Sequence, residues 1–191
     1  MTKDERVYSF LDMFAVYHDD LAQKYINNEN LMNYLYSGGF FTAPASTKYH
    51  GAYEGGLFDH SAAVTRALED LTNRLGIKWT RPESPFIVGM FHDLCKCDQY
   101  IEKKPGLDLE YEDAPVYEYN SNTLLKGHGA KSVMLLSQFI TLTEEEMLCI
   151  RYHMGAYEKD EWTEYDLAIK KYQTVLWTHT ADMYASKVEG T

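Results

Sequence analysis

Apolar residues recur at three- and four-residue steps along most of this chain, the spacing of one buried face on an α-helix. Val7, Phe10, Leu11, Phe14 and Tyr17 form one such stripe, and Leu31, Tyr34 and Leu35 a shorter one. Two amphipathic helices are therefore predicted within 1–37. Gly38 and Gly39 end that pattern, and Pro44, Ser46, Gly51, Gly55 and Gly56 mark an irregular loop. Leu57, Val64, Leu68, Leu71 and Leu75 then define a long helix over 57–75, closed by Gly76. The next helix begins near Pro82 or Pro85, because proline is tolerated in a first turn, and runs through Phe86, Ile87, Val88, Met90 and Phe91 to His92 and Asp93. Its nearly uninterrupted apolar character makes it a buried central element that ends in a histidine and an aspartate.

The pattern changes over 98–122, where tyrosines and charges surround Pro105 and Gly106. A two-stranded hairpin or an ordered loop is predicted there. Helices resume over 127–140, 144–153 and 164 to about 188. Thr143 with Glu146 three residues on has the form of a capping box. The fold class is all-α, a helical bundle with a small β-hairpin or loop insert, in one domain covering 1–191. No internal repeat or long linker divides the chain.

Composition narrows the function classes. The chain has 191 residues, 45% of them hydrophobic, enough apolar material to offset the entropy of folding. A net charge of -11 argues against a long nucleic acid as partner, since such binding rests on basic side chains. A small anionic substrate stays open, because a bound divalent ion reverses the local sign. No apolar run approaches the ~20 residues that span a bilayer, and Met1 to Arg6 lacks a secretory core, so the expected location is the cytoplasm with no membrane partner. Cys95, Cys97 and Cys149 are odd in number and are read as reduced thiols.

The chemistry lies in six side chains, His60, His92, Asp93, His128, His153 and Asp182. They offer only imidazole and carboxylate groups, the mixed donors that hold a catalytic divalent metal and leave positions open to water. Asp93 carries the most weight, because a carboxylate after so apolar a helix is costly to bury without a positive partner. A metal supplies that partner; a plain ion pair with Lys96 is the equal rival. His179 and Asp182 are three residues apart and face one way on a helix. Asp182 is the better ligand, and His179 a neighbour of the site, a substrate contact or a structural hydrogen bond. His18 and His50 are read as ordinary histidines, although His50 could line the pocket.

The order His60, His92-Asp93, Asp182 resembles the signature of the HD-domain superfamily of metal-dependent phosphohydrolases. Gly55-Gly56-Leu57-Phe58-Asp59-His60-Ser61, Phe91-His92-Asp93-Leu94-Cys95-Lys96, Gly127-His128-Gly129, Tyr152-His153 and His179-Thr180-Ala181-Asp182 carry it. The implied HD core covers about 55–187, with N-terminal helices over 1–37. The resemblance implies that His60, His92, Asp93 and Asp182 hold a first metal and that Asp93 bridges to a second held by His128 and His153. In one-metal members those two histidines contact substrate phosphate instead. The cofactor is then one or two divalent transition metal ions, with manganese, iron, cobalt, nickel and zinc indistinguishable.

Metal-activated hydroxide makes hydrolysis of a phosphoester or phosphoanhydride the implied reaction. Asp93 and Lys96 are the candidate catalytic residues, Lys96 offsetting charge on the reacting phosphate. Lys96, Lys131, Arg66 and His179 are candidate substrate contacts, although Lys131 and Arg66 are more simply read as ordinary solvated charges. Tyr49, Tyr53, Tyr100, Tyr117, Tyr119 and Tyr157 are candidates for stacking on a base, or for packing between elements. The leading reading is a metal-dependent phosphohydrolase acting on a nucleotide or related small phosphate. The alternatives are a nuclease or phosphodiesterase acting on short or cyclic oligonucleotides, and a non-catalytic metal-binding HD module. The nuclease reading calls for a basic groove of Lys48, Arg66, Lys103, Lys104 or Lys126 leading to the metal. A homo-oligomer stays open.

Overall fold

The computed structural model describes residues 1–16, 29–103, 116–155 and 162–191. Tyr17, His18, Lys104, Pro105, Gly106 and Tyr157 lie outside the described residues. Among those described, eight α-helices and one small sheet account for the fold: α1 Lys3–Ala15, α2 Glu29–Ser37, α3 Gly56–Leu75, α4 Ser84–Phe91, β1 Tyr100–Glu102, β2 Tyr117–Tyr119, α5 Gly129–Leu136, α6 Glu144–Arg151, α7 Trp162–Lys171 and α8 Thr174–Tyr184. A 3₁₀ turn, Leu94–Cys97, follows α4, and a π-helical turn, Ala185–Glu189, follows α8. The all-α class with a small hairpin is thus the observed one. The two strands pair antiparallel, with Tyr100 opposite Tyr119 and Glu102 opposite Tyr117.

All eight residues of α4 are buried, as its continuous apolar sequence requires. It lies against α3 and α6, while α8 packs on α3 and α6 as well. Gly89 allows the closest of these approaches: a Cβ there would fall 2.6 Å from the Thr65 Cα on α3. Along α4 an aromatic cluster of Phe10, Phe14, Phe41, Phe86 and Phe91 joins α1 to the core, Phe14 and Phe86 meeting edge to face at 5.2 Å. At the C-terminal end, directly after Phe91, His92 caps the helix and Asp93 leaves helical geometry. Asp93 therefore begins a 3₁₀ turn instead of extending a helix, and the Lys96 N–H donates to its carbonyl at 2.9 Å. Three-residue periodicity stacks Lys96 over Asp93.

One predicted element is corrected. The helix expected to run from 164 to about 188 is two helices and a π turn, broken at Tyr172 and Gln173. No proline or glycine marks the break. Contacts with α6 hold it instead: Lys171 and Tyr172 bind the Glu144 carboxylate, and the buried Thr174 hydroxyl donates to Glu145 Oε1 at 2.6 Å. The Thr143–Glu146 capping box forms as the sequence indicates, and the same Glu146 carboxylate accepts from Arg81 and from the Ser84 hydroxyl at the start of α4. Helices α4 and α6 are thereby joined at the ends remote from His92 and His153.

The glycine loop before α3 is built on close approach. A Cβ on Gly56 would meet the Gly51 carbonyl oxygen at 2.0 Å, and one on Gly55, whose φ is 82°, would enter the Arg6 guanidinium. Arg6 is 4% exposed and forms a bidentate pair with Asp59, both bonds 3.0 Å. Such a pair fixes the first turn of α3, where His60 lies, more firmly than a single contact would. Among the described residues, no helix is long and apolar enough to cross a membrane.

Candidate metal centre

Five elements converge on Asp93. His60 comes from the first turns of α3, His92 caps the C-terminus of α4, and His128 occupies the N-cap of α5. His153 follows the end of α6, and Asp182 projects from α8. Gly129 lets α5 start against the end of α6, since a Cβ there would lie 2.5 Å from the Ile150 carbonyl oxygen. That contact places His128 beside His153, their rings 5.0 Å apart. Further ring contacts of 4.7 Å from His153 to His92 and 5.2 Å from His92 to His60 line up four imidazoles.

The protonation of these rings follows from their backbone contacts. Nδ1 of His60, His92 and His153 lies 2.9, 2.8 and 2.8 Å from the carbonyl oxygens of Thr191, Gly89 and Ile150. A carbonyl only accepts, so each Nδ1 carries the hydrogen, and in a neutral ring Nε2 is left with a bare lone pair. Those Nε2 atoms point at one another and at carboxylates. His60 Nε2 is 3.3 Å from His92 Nε2 and 3.1 Å from Asp182 Oδ1. His92 Nε2 is 3.4 Å from Asp93 Oδ2, and His153 Nε2 is 3.4 Å from Asp93 Oδ1. Lone pairs and negative charge facing one another repel unless a cation lies between them. Protonating His60 Nε2 would relieve the contacts of that ring and leave His92 and His153 Nε2 facing Asp93, whereas a metal cation accepts several of these lone pairs at once.

His128 Nε2 approaches Asp93 Oδ1 to 2.8 Å. Yet among the described residues Asp93 Oδ1, His128 Nε2 and His153 Nε2 are all buried without a hydrogen bond. The contact is close in distance but not in hydrogen-bond geometry, as when ligand atoms aim at a shared point. Two groups result, His60 with His92 and Asp93, and Asp93 with His128 and His153; within each the ligand atoms lie within 4.8 Å of one another. Asp182 extends the first group through its contact with His60. Asp93 belongs to both, one oxygen to each side. These buried groups could hold a metal ion, and their nitrogen and oxygen donors suit a divalent transition metal. This arrangement fits a metal-dependent hydrolase.

The rival explanation of Asp93 is also present. Lys96 is 6% exposed and its Nζ lies 2.6 Å from Asp93 Oδ2. The pair accounts for one carboxylate oxygen and leaves the three Nε2 lone pairs, Asp93 Oδ1 and Asp182 unexplained. Burial pushes the Asp93 carboxyl up, but the Lys96 ammonium and the facing imidazoles hold it well below the usual carboxylate range. Burial likewise works against the charge on Lys96, and Asp93 outweighs it, raising the ammonium above its ordinary value. Asp182 is opposed by burial and held low by His60 and His92. Burial lowers His128, partly offset by Asp93, which favours the neutral ring that a ligand requires.

A cavity of about 340 Å³ opens onto Asp93, Lys96, His128 and Asp182. Tyr49, Tyr100 and Tyr119 line it, as do His50 and His179; Tyr53 and Tyr117 do not. His50 lies with its ring 5.1 Å from that of His60, and burial pushes it down to about 4. His179 Nδ1 donates to the His153 carbonyl oxygen at 2.7 Å, and Gly155, at a φ of 60°, makes room for its ring. It therefore both holds the His153 segment and faces the cavity.

Lys131 and Arg66 are placed elsewhere. Lys131 is buried and donates to Asp98, lining a neighbouring cavity with His128. Arg66 is exposed and lines a separate cavity with Thr180 and Tyr184. Six residues along a helix turn a side chain by roughly 240°, so Arg66 points away from His60. Lys48 and Lys103 are exposed and line neither cavity beside Asp93.

Sequence reasoning missed Met154, Met183, Ser186 and Lys187, which also line the first cavity. It missed as well the Arg6–Asp59 pair beneath the glycine loop. Asp59 next to His60 was the available signal for the second. Comparison with protein families, with curated proteins and with solved structures found no match to the chain.

Proposed function

We propose that the chain is an HD-superfamily, metal-dependent phosphohydrolase that cleaves a phosphoester or phosphoanhydride of a nucleotide or related small phosphate. The observation that carries this reading is the convergence of three Nε2 lone pairs, fixed by Nδ1 contacts with carbonyls, on two buried carboxylates. His60, His92, Asp93 and Asp182 would hold one ion, and Asp93, His128 and His153 a second. A divalent ion at this donor set lowers the pKa of water towards ~7 and draws phosphate oxygens to it.

The side chains supply the rest. The Nδ1–carbonyl contacts keep the imidazoles in the tautomer that ligates, an orientation role that costs 10–100-fold in affinity when removed at comparable sites. Lys96 places its ammonium 2.6 Å from Asp93, at the edge of the open cavity, where it offsets the negative charge that develops on the phosphoryl oxygens. Water adds to phosphorus, the bond from phosphorus to the leaving oxygen breaks, and that oxygen takes up the proton released by the water. Tyr49, Tyr100 and Tyr119 line the space beside the phosphate, where a nucleobase could stack.

The test is phosphate release from a panel of nucleoside mono-, di- and triphosphates with Mn²⁺, comparing the wild type with Asp93→Asn. Release by the wild type and loss in the variant supports the reading; equal activity in both refutes the site. A phosphodiesterase of short oligonucleotides is favoured by one further observation, the second cavity beside His128.

A further inference from the structure

The first cavity does not end at His128. A second of about 430 Å³ shares Gln99, Tyr119 and His128 with it as a common wall. The volume available beside Asp93 more than doubles with it, passing from the lower end of the ~300–1,000 Å³ range of small-molecule sites to well within it. The ring of His128 joins the two, since its Nε2 reaches Asp93 Oδ1 at 2.8 Å.

The chemistry of this second space differs from that of the first. Among the described residues its lining holds two lysines, Lys126 and Lys131, with Asn120, Ser121 and Thr123, and no carboxylate, in a chain whose net charge is -11. Lys131 is 3% exposed. Its ammonium has three N–H donors, and one goes to Asp98, whose side chain is 55% exposed and screened by water. Lys126 is exposed and donates to the Thr123 hydroxyl at 3.2 Å. Helix α5 begins at the same wall, at His128, without a capping side chain, so its first N–H groups add positive potential. Lysines, hydroxyls, an amide and an uncapped helix start within one concavity are a set of donors for an anion.

We propose that the second cavity is a phosphate subsite, so that the preferred substrates carry a second phosphate across the sugar from the scissile one. Nucleoside bisphosphates and short 5′-phosphorylated oligonucleotides belong to this class. The scissile phosphate lies at Asp93, and the second phosphate passes His128 to Lys126 and Lys131. This assignment rests on the phosphohydrolase reading for the position of the first phosphate.

The probes are adenosine 3′,5′-bisphosphate and adenosine 5′-monophosphate, titrated calorimetrically into the Mn²⁺-incubated full chain. A second phosphate held by two lysines gives an advantage of about 10-fold or more in affinity for the bisphosphate. Lys126→Ala, at an exposed position, and Lys131→Gln, accepted once circular dichroism shows a folded helical chain, should each remove most of it. Equal affinity for both nucleotides in the wild type, or an advantage that survives in both variants, overturns the subsite. Calorimetry reads binding with or without turnover. Failure of hydrolysis would overturn the phosphohydrolase reading, whereas the subsite stands or falls on the two affinities alone.

Discussion

Replacing Lys96 with methionine separates the two cations that Asp93 can accept. In the metal-free chain the Lys96 ammonium, 6% exposed and 2.6 Å from Asp93 Oδ2, is the nearest positive charge to a carboxylate that is 1% exposed. Removing one member of a buried pair costs about 3–5 kcal/mol, because the other is left uncompensated. For a chain of this length 1 kcal/mol moves the melting temperature by roughly 2–4 °C. Lys96→Met protein in chelator should therefore melt about 6–20 °C below wild type. With Mn²⁺ the penalty should shrink, because the divalent ion supplies the charge that the ammonium gave. Affinity for Mn²⁺ should rise, since an intramolecular competitor has gone, while phosphate release falls about 10²–10³-fold through loss of charge stabilisation at the phosphoryl group. Thermal unfolding followed by circular dichroism, with chelator and with Mn²⁺, makes the comparison. An equal drop in both conditions, or none in chelator, would refute the reasoning.

The pH dependence of that difference has a definite sign. Asp93 is held below its ordinary range in the folded chain, so the pair contributes fully above the unfolded value of ~3.9 and is lost as pH falls through the folded one. Lys96 is raised, so the contribution is present below ~10.4 and lost as pH rises past the folded value. The gap between metal-free wild type and Lys96→Met should be level from about pH 5 to 9; a gap that closes steadily across that window would count against the pair. Gly89→Ala places a methyl 2.6 Å from the Thr65 Cα and should destabilise by about 1–3 kcal/mol or more, and an unmoved urea midpoint would contradict the packing described. A chain ending at Glu189 removes the Thr191 carbonyl from His60 Nδ1 and should weaken Mn²⁺ binding about 10–100-fold with helicity kept; unaltered affinity would show that this contact does not orient the ring. Burial pushes the Cys95 and Cys149 thiols up to about 12, so at pH 8 both should react with a disulfide reagent far more slowly than a free thiol. Rapid labelling of either in the folded chain would contradict their environment.

The amphipathic and buried helices were legible because their residues obey local rules. Gly76 closes α3 with a φ of 63°, Thr143 and Glu146 form their box, and the apolar run before His92 is buried throughout. The break at Tyr172 was not legible, since it depends on Glu144 and Glu145, nearly thirty residues away in sequence. The six ligand candidates were readable as residue types, and the structure brings them together; their orientation was not, because it rests on backbone carbonyls of Gly89, Ile150 and Thr191. Helical phase alone could have set Arg66 apart from His60. Lys131 gave no such signal, for its partner Asp98 lies beyond a loop, in another element. The second cavity was invisible because its walls come from residues 99, 119–121, 123, 125–128 and 131, which meet only after the hairpin has formed.

That these six side chains bind a catalytic metal can be tested by elemental analysis of protein purified without chelator and then incubated with Mn²⁺. Folded Asp93→Ala is run beside it, and phosphate release is assayed on the same samples. One to two ions per wild-type chain and none in the variant are expected, with hydrolysis lost alongside the metal. Wild-type protein that holds no metal after incubation, or a variant that keeps full activity, would contradict a catalytic metal at Asp93.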